Sequence, residues 1–166
     1  MIRAVFALLL FLAVASCPRG EAGPVGLAAP DLETAAIARG LVRDPADRDL
    51  VGLYARDTDR LCVVERGGGY RIGAVVDYGE GIGCAGTGSV RRSGSGLQID
   101  LGGGCTLDAS FDGDHVRFPA TPPAPCARLC NGRATFASLD VERLSLSAAE
   151  AATMRDPRGR LPCAAD

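Results

Sequence analysis

Apolar and polar residues alternate along the middle of the chain, between residues 50 and 118. In the clearest stretch, Leu97, Ile99 and Leu101 share one face of an extended chain, and the residues between them are polar. Alternation with one polar face is typical of antiparallel strands that cover a core on one side. Turn signals recur about every ten residues, which predicts a mostly β fold, a meander of roughly six or seven strands forming a small antiparallel β-barrel or sandwich.

Short helices are predicted on both sides of the strand region. Asp31 is a suitable N-cap for an alanine-rich helix that reaches about Arg39 and ends at Gly40. Ser147 and Glu150 form a capping box, in which each side chain can bond the exposed backbone N–H of the other residue. This pattern predicts a second short helix near the carboxyl terminus.

Prolines at 119–125 end the strand region, and one more strand is predicted over 139–144. The sequence therefore predicts a helix plus antiparallel β domain over 31–118. A Pro-rich linker with a C-terminal strand and helix, over 119–166, is predicted to pack on that domain.

The amino terminus has the pattern of an export signal. Arg3 precedes an unbroken apolar run of twelve residues, too short for a permanent membrane span but suited to a signal core. The run closes on Val14-Ala15-Ser16-Cys17, which resembles the lipobox of bacterial lipoproteins. The resemblance implies that 1–16 is a signal peptide and that Cys17 carries a diacylglyceryl thioether and an acylated amino terminus, a firm membrane anchor.

The number of cysteines favours lipidation over ordinary cleavage after Ala15. The chain has seven cysteines, and exported proteins usually oxidise theirs, so lipidation of Cys17 leaves an even number for disulfides. Residues 17–30 then form a flexible tether. Sorting rules that resemble the enterobacterial one depend on an aspartate directly after the lipidated cysteine, and because Pro18 stands there instead, the resemblance implies the outer membrane rather than the inner one. The six remaining cysteines are disulfide candidates: Cys62, Cys84, Cys105, Cys126, Cys130 and Cys163.

One disulfide follows from local geometry. If Ser93-Gly94-Ser95 centres a hairpin, Cys84 and Cys105 face each other across the two strands. The sequence therefore predicts a bridge between Cys84 and Cys105.

Composition and motifs exclude several functions. The net charge of −2 is not that of a nucleic-acid binder, and the chain has no lysine for Schiff-base chemistry. Gly81, Gly83 and Gly86 match the glycine pattern of dinucleotide-binding loops, but the residues after them do not form a helix. A bulged β-turn is predicted there, and no cofactor is expected.

His115 is the one histidine in the chain and follows a predicted hairpin turn, where a side chain is expected to be exposed. A Ser-His-Asp relay could use Asp108, Asp112 or Asp114 to orient it, but nothing selects a serine. One histidine and disulfide-bonded cysteines leave only carboxylates as metal ligands, and these lack the spacing of a calcium loop, so no metal site is predicted. No catalytic residue is therefore predicted.

Several short segments are similar to the opening of the bacterial alkaline protease inhibitor family: Gly52-Leu53-Tyr54, Cys62-Val63-Val64, Tyr70-Arg71-Ile72-Gly73 and Cys84. Tyr54 stands where the family has tryptophan. The resemblance, which covers 50–118, implies a small antiparallel barrel in the periplasm that blocks secreted zinc metalloproteases. It also implies a disulfide between Cys62 and Cys84, in conflict with the hairpin geometry.

The sequence as a whole favours a lipid-anchored binding module that faces the periplasm or the cell surface, and an inhibitor of an envelope or secreted enzyme is one form of it. The expected partners are the membrane, through Cys17, and a protein of the envelope. An envelope structural protein and a hydrolase with a site around His115 are the alternatives.

Overall fold

The computed structural model describes residues 31–39, 41 and 49–164. The predicted signal peptide 1–16, the lipidation site Cys17 and the tether 17–30 lie outside the described residues. The chain divides into two compact units, residues 1–42 and residues 43–166. No helix in the described part of the chain is long and apolar enough to cross a membrane.

The first unit contains helix α1 (Leu32–Ala38). The side chain of Asp31 accepts a hydrogen bond from the backbone N–H of Thr34 at 2.8 Å, as expected of an N-cap. The predicted amino-terminal helix is therefore confirmed.

The second unit is a closed antiparallel barrel of eight strands. Each strand pairs with the next one along the chain, and the last strand pairs with the first. The fold class predicted from the alternation is confirmed. Seven of the strands lie within 50–118, as predicted for the meander, and the eighth corresponds to the strand predicted over 139–144. The strands are β1 (Gly52–Arg56), β2 (Asp59–Arg66), β3 (Gly69–Asp77), β4 (Gly83–Ser93), β5 (Gly96–Asp100), β6 (Thr106–Phe111), β7 (His115–Arg117) and β8 (Asp140–Ser145).

Side chains fill the interior of the barrel. Every second residue of each strand points inward, so the apolar face predicted for 97–101 becomes part of the core. An eight-stranded barrel is just wide enough for side chains to meet at its axis. The large, fully buried side chains include Leu50, Tyr54, Leu61, Ile72, Leu97, Ile99, Leu101, Phe111 and Phe136.

A buried arginine closes one end of the barrel. Arg143 of β8 is 7% exposed, and its guanidinium lies 5.0 Å from the ring centroid of Tyr54. It donates hydrogen bonds to the carbonyl oxygens of Asp49 at 2.6 Å, Val51 at 2.8 Å and Gly113 at 2.8 Å. These bonds attach two segments to β8: the residues that lead into β1, and the turn between β6 and β7.

The connection from β7 to β8 covers the other end. It contains a 3-10 helix (Ala124–Leu129), and its residues Phe136 and Leu139 are buried in the same core as the strands. Two disulfides attach it to the barrel, Cys105–Cys126 and Cys84–Cys130.

Helix α2 (Ala148–Thr153) packs on the outside of the barrel and makes a second, smaller core with β2 and β3. Ser147 accepts the backbone N–H of Glu150 at 3.2 Å, so the predicted capped helix is confirmed. The Cys62–Cys163 disulfide fixes the segment that follows this helix to β2.

Both predicted disulfide pairings are wrong, although the prediction of three disulfides is confirmed. The hairpin register is as expected near its turn, where Ser93 faces Gly96, but β5 ends at Asp100. A glycine turn at 102–104 then reverses the chain. The backbone N–H of Leu101 donates to the carbonyl of Cys105 at 2.9 Å, and the N–H of Cys105 donates to the carbonyl of Gly102 at 2.9 Å. Cys105 therefore leads into β6 and cannot face Cys84. The Cys62–Cys84 bridge implied by the family resemblance does not form either, because Cys62 pairs with Cys163.

Candidate functional site

The barrel surface around His115 contains the first group of polar residues that could carry chemistry. Nδ1 of His115 lies 3.1 Å from Oδ1 of Asp140, which comes from the neighbouring strand β8. Asp140 also lies 3.3 Å from the guanidinium of Arg56 and 3.4 Å from that of Arg117. The His115 side chain is 33% exposed, so it is partly buried and less accessible than its position after the hairpin turn predicts. Because strand pairing is non-local, the sequence did not reveal Asp140 as its partner.

Asp112, one of the carboxylates considered for orienting His115, instead holds the β6–β7 turn. Its Oδ1 accepts the backbone N–H groups of Asp114 at 3.1 Å and His115 at 2.8 Å, and its Oδ2 accepts the guanidinium of Arg117 at 2.6 Å. Burial by itself raises the pKa of Asp112. The hydrogen bonds from the His115 backbone and the Arg117 side chain outweigh it and lower the pKa to about 2.

This pKa shift predicts a stability change in acid. A depressed carboxylate pKa stabilises the fold above the unfolded-state pKa, near 3.8, and that stability is lost as the pH falls towards about 2. Because the side chain is 47% exposed, solvent screening reduces the expected effect to about 1 kcal/mol. The Asp112→Asn variant keeps the side-chain oxygen that accepts the hydrogen bonds of the turn, but it removes the charge. Between pH 5 and pH 2 its free energy of unfolding should therefore fall by about 1 kcal/mol less than that of wild type.

Urea unfolding of both proteins at the two pH values measures this difference. Asp108→Asn, at an exposed position on β6, is the control and should follow wild type. Equal acid sensitivity of wild type and Asp112→Asn would contradict the role assigned to the Asp112 charge.

A cavity beside His115 lacks a hydroxyl or thiol nucleophile. Ala55, Arg56, Asp140 and Glu142 line it together with the histidine, and none of them has a hydroxyl or a thiol. In the described part of the chain, no group of three histidine, cysteine, aspartate or glutamate side chains could hold a metal ion. The geometry around His115 is that of an ion-pair cluster on the barrel wall.

A second concave site lies between the β3–β4 turn, the end of the 3-10 helix and the segment after α2. We call it the arginine pocket, after Arg128, Arg158 and Arg160 in its lining, and it has a volume of about 260 Å³. The Cys84–Cys130 disulfide is part of its lining. Three separate parts of the chain therefore meet at this pocket.

Asn131 fixes the β3–β4 turn that forms one wall of the pocket. Its side-chain oxygen accepts the N–H of Gly83 at 2.7 Å, and its side-chain amide donates to the carbonyl of Gly81 at 2.6 Å. Its backbone N–H donates to the carbonyl of Gly83 at 3.0 Å. Of the glycines in the dinucleotide-like pattern, Gly81 lies in this turn, as predicted, whereas Gly83 and Gly86 lie in β4.

The arginines of the pocket have different roles. The guanidinium of Arg160 is 2.6 Å from Asp156, whose side chain is 2% exposed. Burial by itself raises the pKa of Asp156, but hydrogen bonds from the Arg160 backbone and side chain and from the Arg158 backbone outweigh it and lower that pKa. The side chains of Arg128 and Arg158 are exposed, and within residues 49–164 neither has a hydrogen bond or an ion pair.

No protein-family model matches the chain, and no curated protein and no solved structure matches it. The similarity to alkaline protease inhibitors therefore stays a prediction that rests on the quoted segments alone. By its fold, the protein belongs to the class of closed eight-stranded antiparallel barrels, and three disulfides cross-link it.

Proposed function

We propose that this protein is an exported binding module, anchored to the cell envelope through lipid on Cys17 and facing the periplasm or the cell surface. The apolar run of the amino terminus and the lipobox-like Val14-Ala15-Ser16-Cys17 support the anchor. Three disulfides fit an oxidising compartment outside the cytoplasm. Pro18 supports the outer membrane as the destination rather than the inner one.

The filled barrel is the observation that carries the binding function. Small-molecule carriers with this architecture hold their ligand inside the barrel. Here apolar side chains occupy the axis, Arg143 closes one end and the β7–β8 connection covers the other. Recognition must therefore use the outer surface, which is how a barrel binds or inhibits another protein. An inhibitor of an envelope or secreted enzyme is one such module.

The hydrolase alternative rests on the His115–Asp140 hydrogen bond, and the cavity beside it offers no hydroxyl or thiol nucleophile. Ester and peptide substrates are accordingly expected to survive incubation with the pure protein. Turnover that disappears in His115→Ala would overturn the binding proposal in favour of an enzyme.

The anchor is tested by labelling. In cells fed a labelled fatty acid, the wild-type protein is expected to take up label and to sediment with membranes, whereas Cys17→Ser does neither. Density-gradient fractionation then separates the two membranes. An unlabelled, soluble wild-type protein beginning at Ser16 would contradict the anchor.

The binding function is tested by capture. The full-length protein is crosslinked in cells, purified in detergent and analysed by mass spectrometry. The control is residues 1–30 fused to an unrelated exported domain, which carries the same anchor and tether. We expect a defined set of envelope or secreted proteins with wild type alone, and an identical set from the control would refute a binding function of the barrel.

A further inference from the structure

We infer that the arginine pocket receives the carboxylate of a glutamate or aspartate side chain on the protein partner, an inference that rests on the proposed binding function. The pocket combines exposed guanidinium groups with a rigid wall, and it belongs to the outer surface that the filled barrel leaves for recognition. Charge, donor type and size each identify the same kind of occupant.

The charge of the pocket fits a single carboxylate. Asp156 engages Arg160, while Arg128 and Arg158 make no ion pair with any described residue, so two guanidinium groups face solvent with their donors available. Guanidinium groups bind carboxylates through paired hydrogen bonds. Asp77 also lines the pocket, and its negative charge disfavours a doubly charged phosphate more than a singly charged carboxylate.

Two backbone donors of the β3–β4 wall of the pocket are already used. The N–H of Ile82 donates to the carbonyl of Gly79 at 2.9 Å, and the N–H of Gly83 donates to the side chain of Asn131 at 2.7 Å. Phosphate sites in proteins typically present several backbone N–H groups to the ligand. The N–H groups of Ile82 and Gly83 are not available to an anion, which favours the side-chain guanidinium groups as its donors.

The size and the apolar part of the lining fit a protein side chain. At about 260 Å³ the pocket lies below the ~300 to 1,000 Å³ of sites that enclose drug-sized ligands. Ile82, Leu129 and Pro157 contribute apolar surface that can contact the methylene groups of a glutamate. The Cys84–Cys130 disulfide and the Asn131 hydrogen bonds hold the wall in place, so binding requires little additional ordering.

Charge reversal tests the site in the capture experiment. The double variant Arg128→Glu, Arg158→Glu should reduce recovery of the crosslinked partner at least tenfold. The control variant Arg91→Glu, Arg133→Glu changes the net charge equally at exposed positions outside the pocket and should recover the partner as wild type does. Since all four side chains are exposed, both proteins should fold, and equal unfolding midpoints verify this.

A titration with small probes tests the chemistry directly. The full-length, isotopically labelled protein in detergent is titrated with acetyl-Gly-Glu-Gly-amide, with its glutamine counterpart and with inorganic phosphate. The glutamate peptide should shift the backbone amide resonances of 81–85, 128–131 and 156–160, and the glutamine peptide should not. Larger shifts with phosphate, or equal shifts with both peptides, would overturn the carboxylate assignment.

The two proposals fail in different ways. If wild type captures partners and the pocket variant captures them equally well, the binding function stands and the pocket inference is wrong. If wild type captures nothing beyond the anchored control, the proposed function itself is wrong, and the inference drawn from it is withdrawn too, even if the glutamate peptide binds.

Discussion

Replacing Cys62 and Cys163 together by alanine is expected to lower the free energy of unfolding by about 4 kcal/mol, the largest loss among the three disulfides. This bridge joins residues 101 positions apart, whereas Cys105–Cys126 spans 21. In the chain-entropy model a longer closed loop removes more freedom from the unfolded chain, roughly 4 to 5 kcal/mol for such a separation. The Cys84–Cys130 bridge lies within this loop and shortens it, so we expect a loss of stability at the lower end of that range.

Urea unfolding of the oxidised proteins at neutral pH measures this loss. The matched control is Cys105→Ala with Cys126→Ala, which should cost about 3 kcal/mol because its loop is shorter. Under reducing conditions wild type and both variants should converge. A greater loss in the Cys105 and Cys126 variant would show that packing around the β7–β8 connection, and not loop length, determines the order.

Replacing Arg143 by methionine is expected to destabilise the protein by about 3 to 5 kcal/mol. Methionine fills much of the volume next to Tyr54 and Phe111, but it cannot donate to the three carbonyl oxygens that the guanidinium now binds. Buried acceptors left without a donor cost about 1 to 3 kcal/mol each, less where water can reach them. The end of the barrel should open locally before the rest unfolds.

Hydrogen exchange and urea unfolding together test this role. In Arg143→Met the amides near the ends of β1 and β8 should exchange faster, while those in the middle of β3 keep their protection. Arg143→Lys retains the charge but not the fork of donors, so an intermediate loss is expected. Arg91→Met, at an exposed site, should change stability by less than about 0.5 kcal/mol. A loss below 1 kcal/mol for Arg143→Met would contradict closure of the barrel by this side chain.

Local patterns in the sequence predicted the elements correctly. Asp31 and Ser147 act as helix caps because each bonds a backbone N–H three residues away, an interaction that depends on neighbouring residues alone. The alternation over 97–101 places every second side chain inward, which follows from strand geometry. Such short-range patterns can be interpreted without knowing the rest of the fold.

The disulfide error shows where a local argument stops. The predicted register around Gly94 is correct, but it does not continue beyond Asp100, because three consecutive glycines make a turn there. Because of that turn, Cys105 does not face Cys84. Each of these two cysteines instead pairs with a cysteine of the β7–β8 connection: Cys84 with Cys130, and Cys105 with Cys126. The sequence contained the signal that limits the hairpin, but not the position of the connection that provides the partners.

The amino-acid sequence by itself determined the period of the strands, the turns, both helix caps and the even set of six cysteines, because these depend on neighbouring residues or on composition. Only the tertiary structure decided the closure of β8 on β1, the three disulfide pairings, the His115–Asp140 contact and the arginine pocket. Each of these joins residues that are far apart along the chain. Their meeting depends on how the barrel closes and on which segment covers its end, and no short stretch of sequence encodes either.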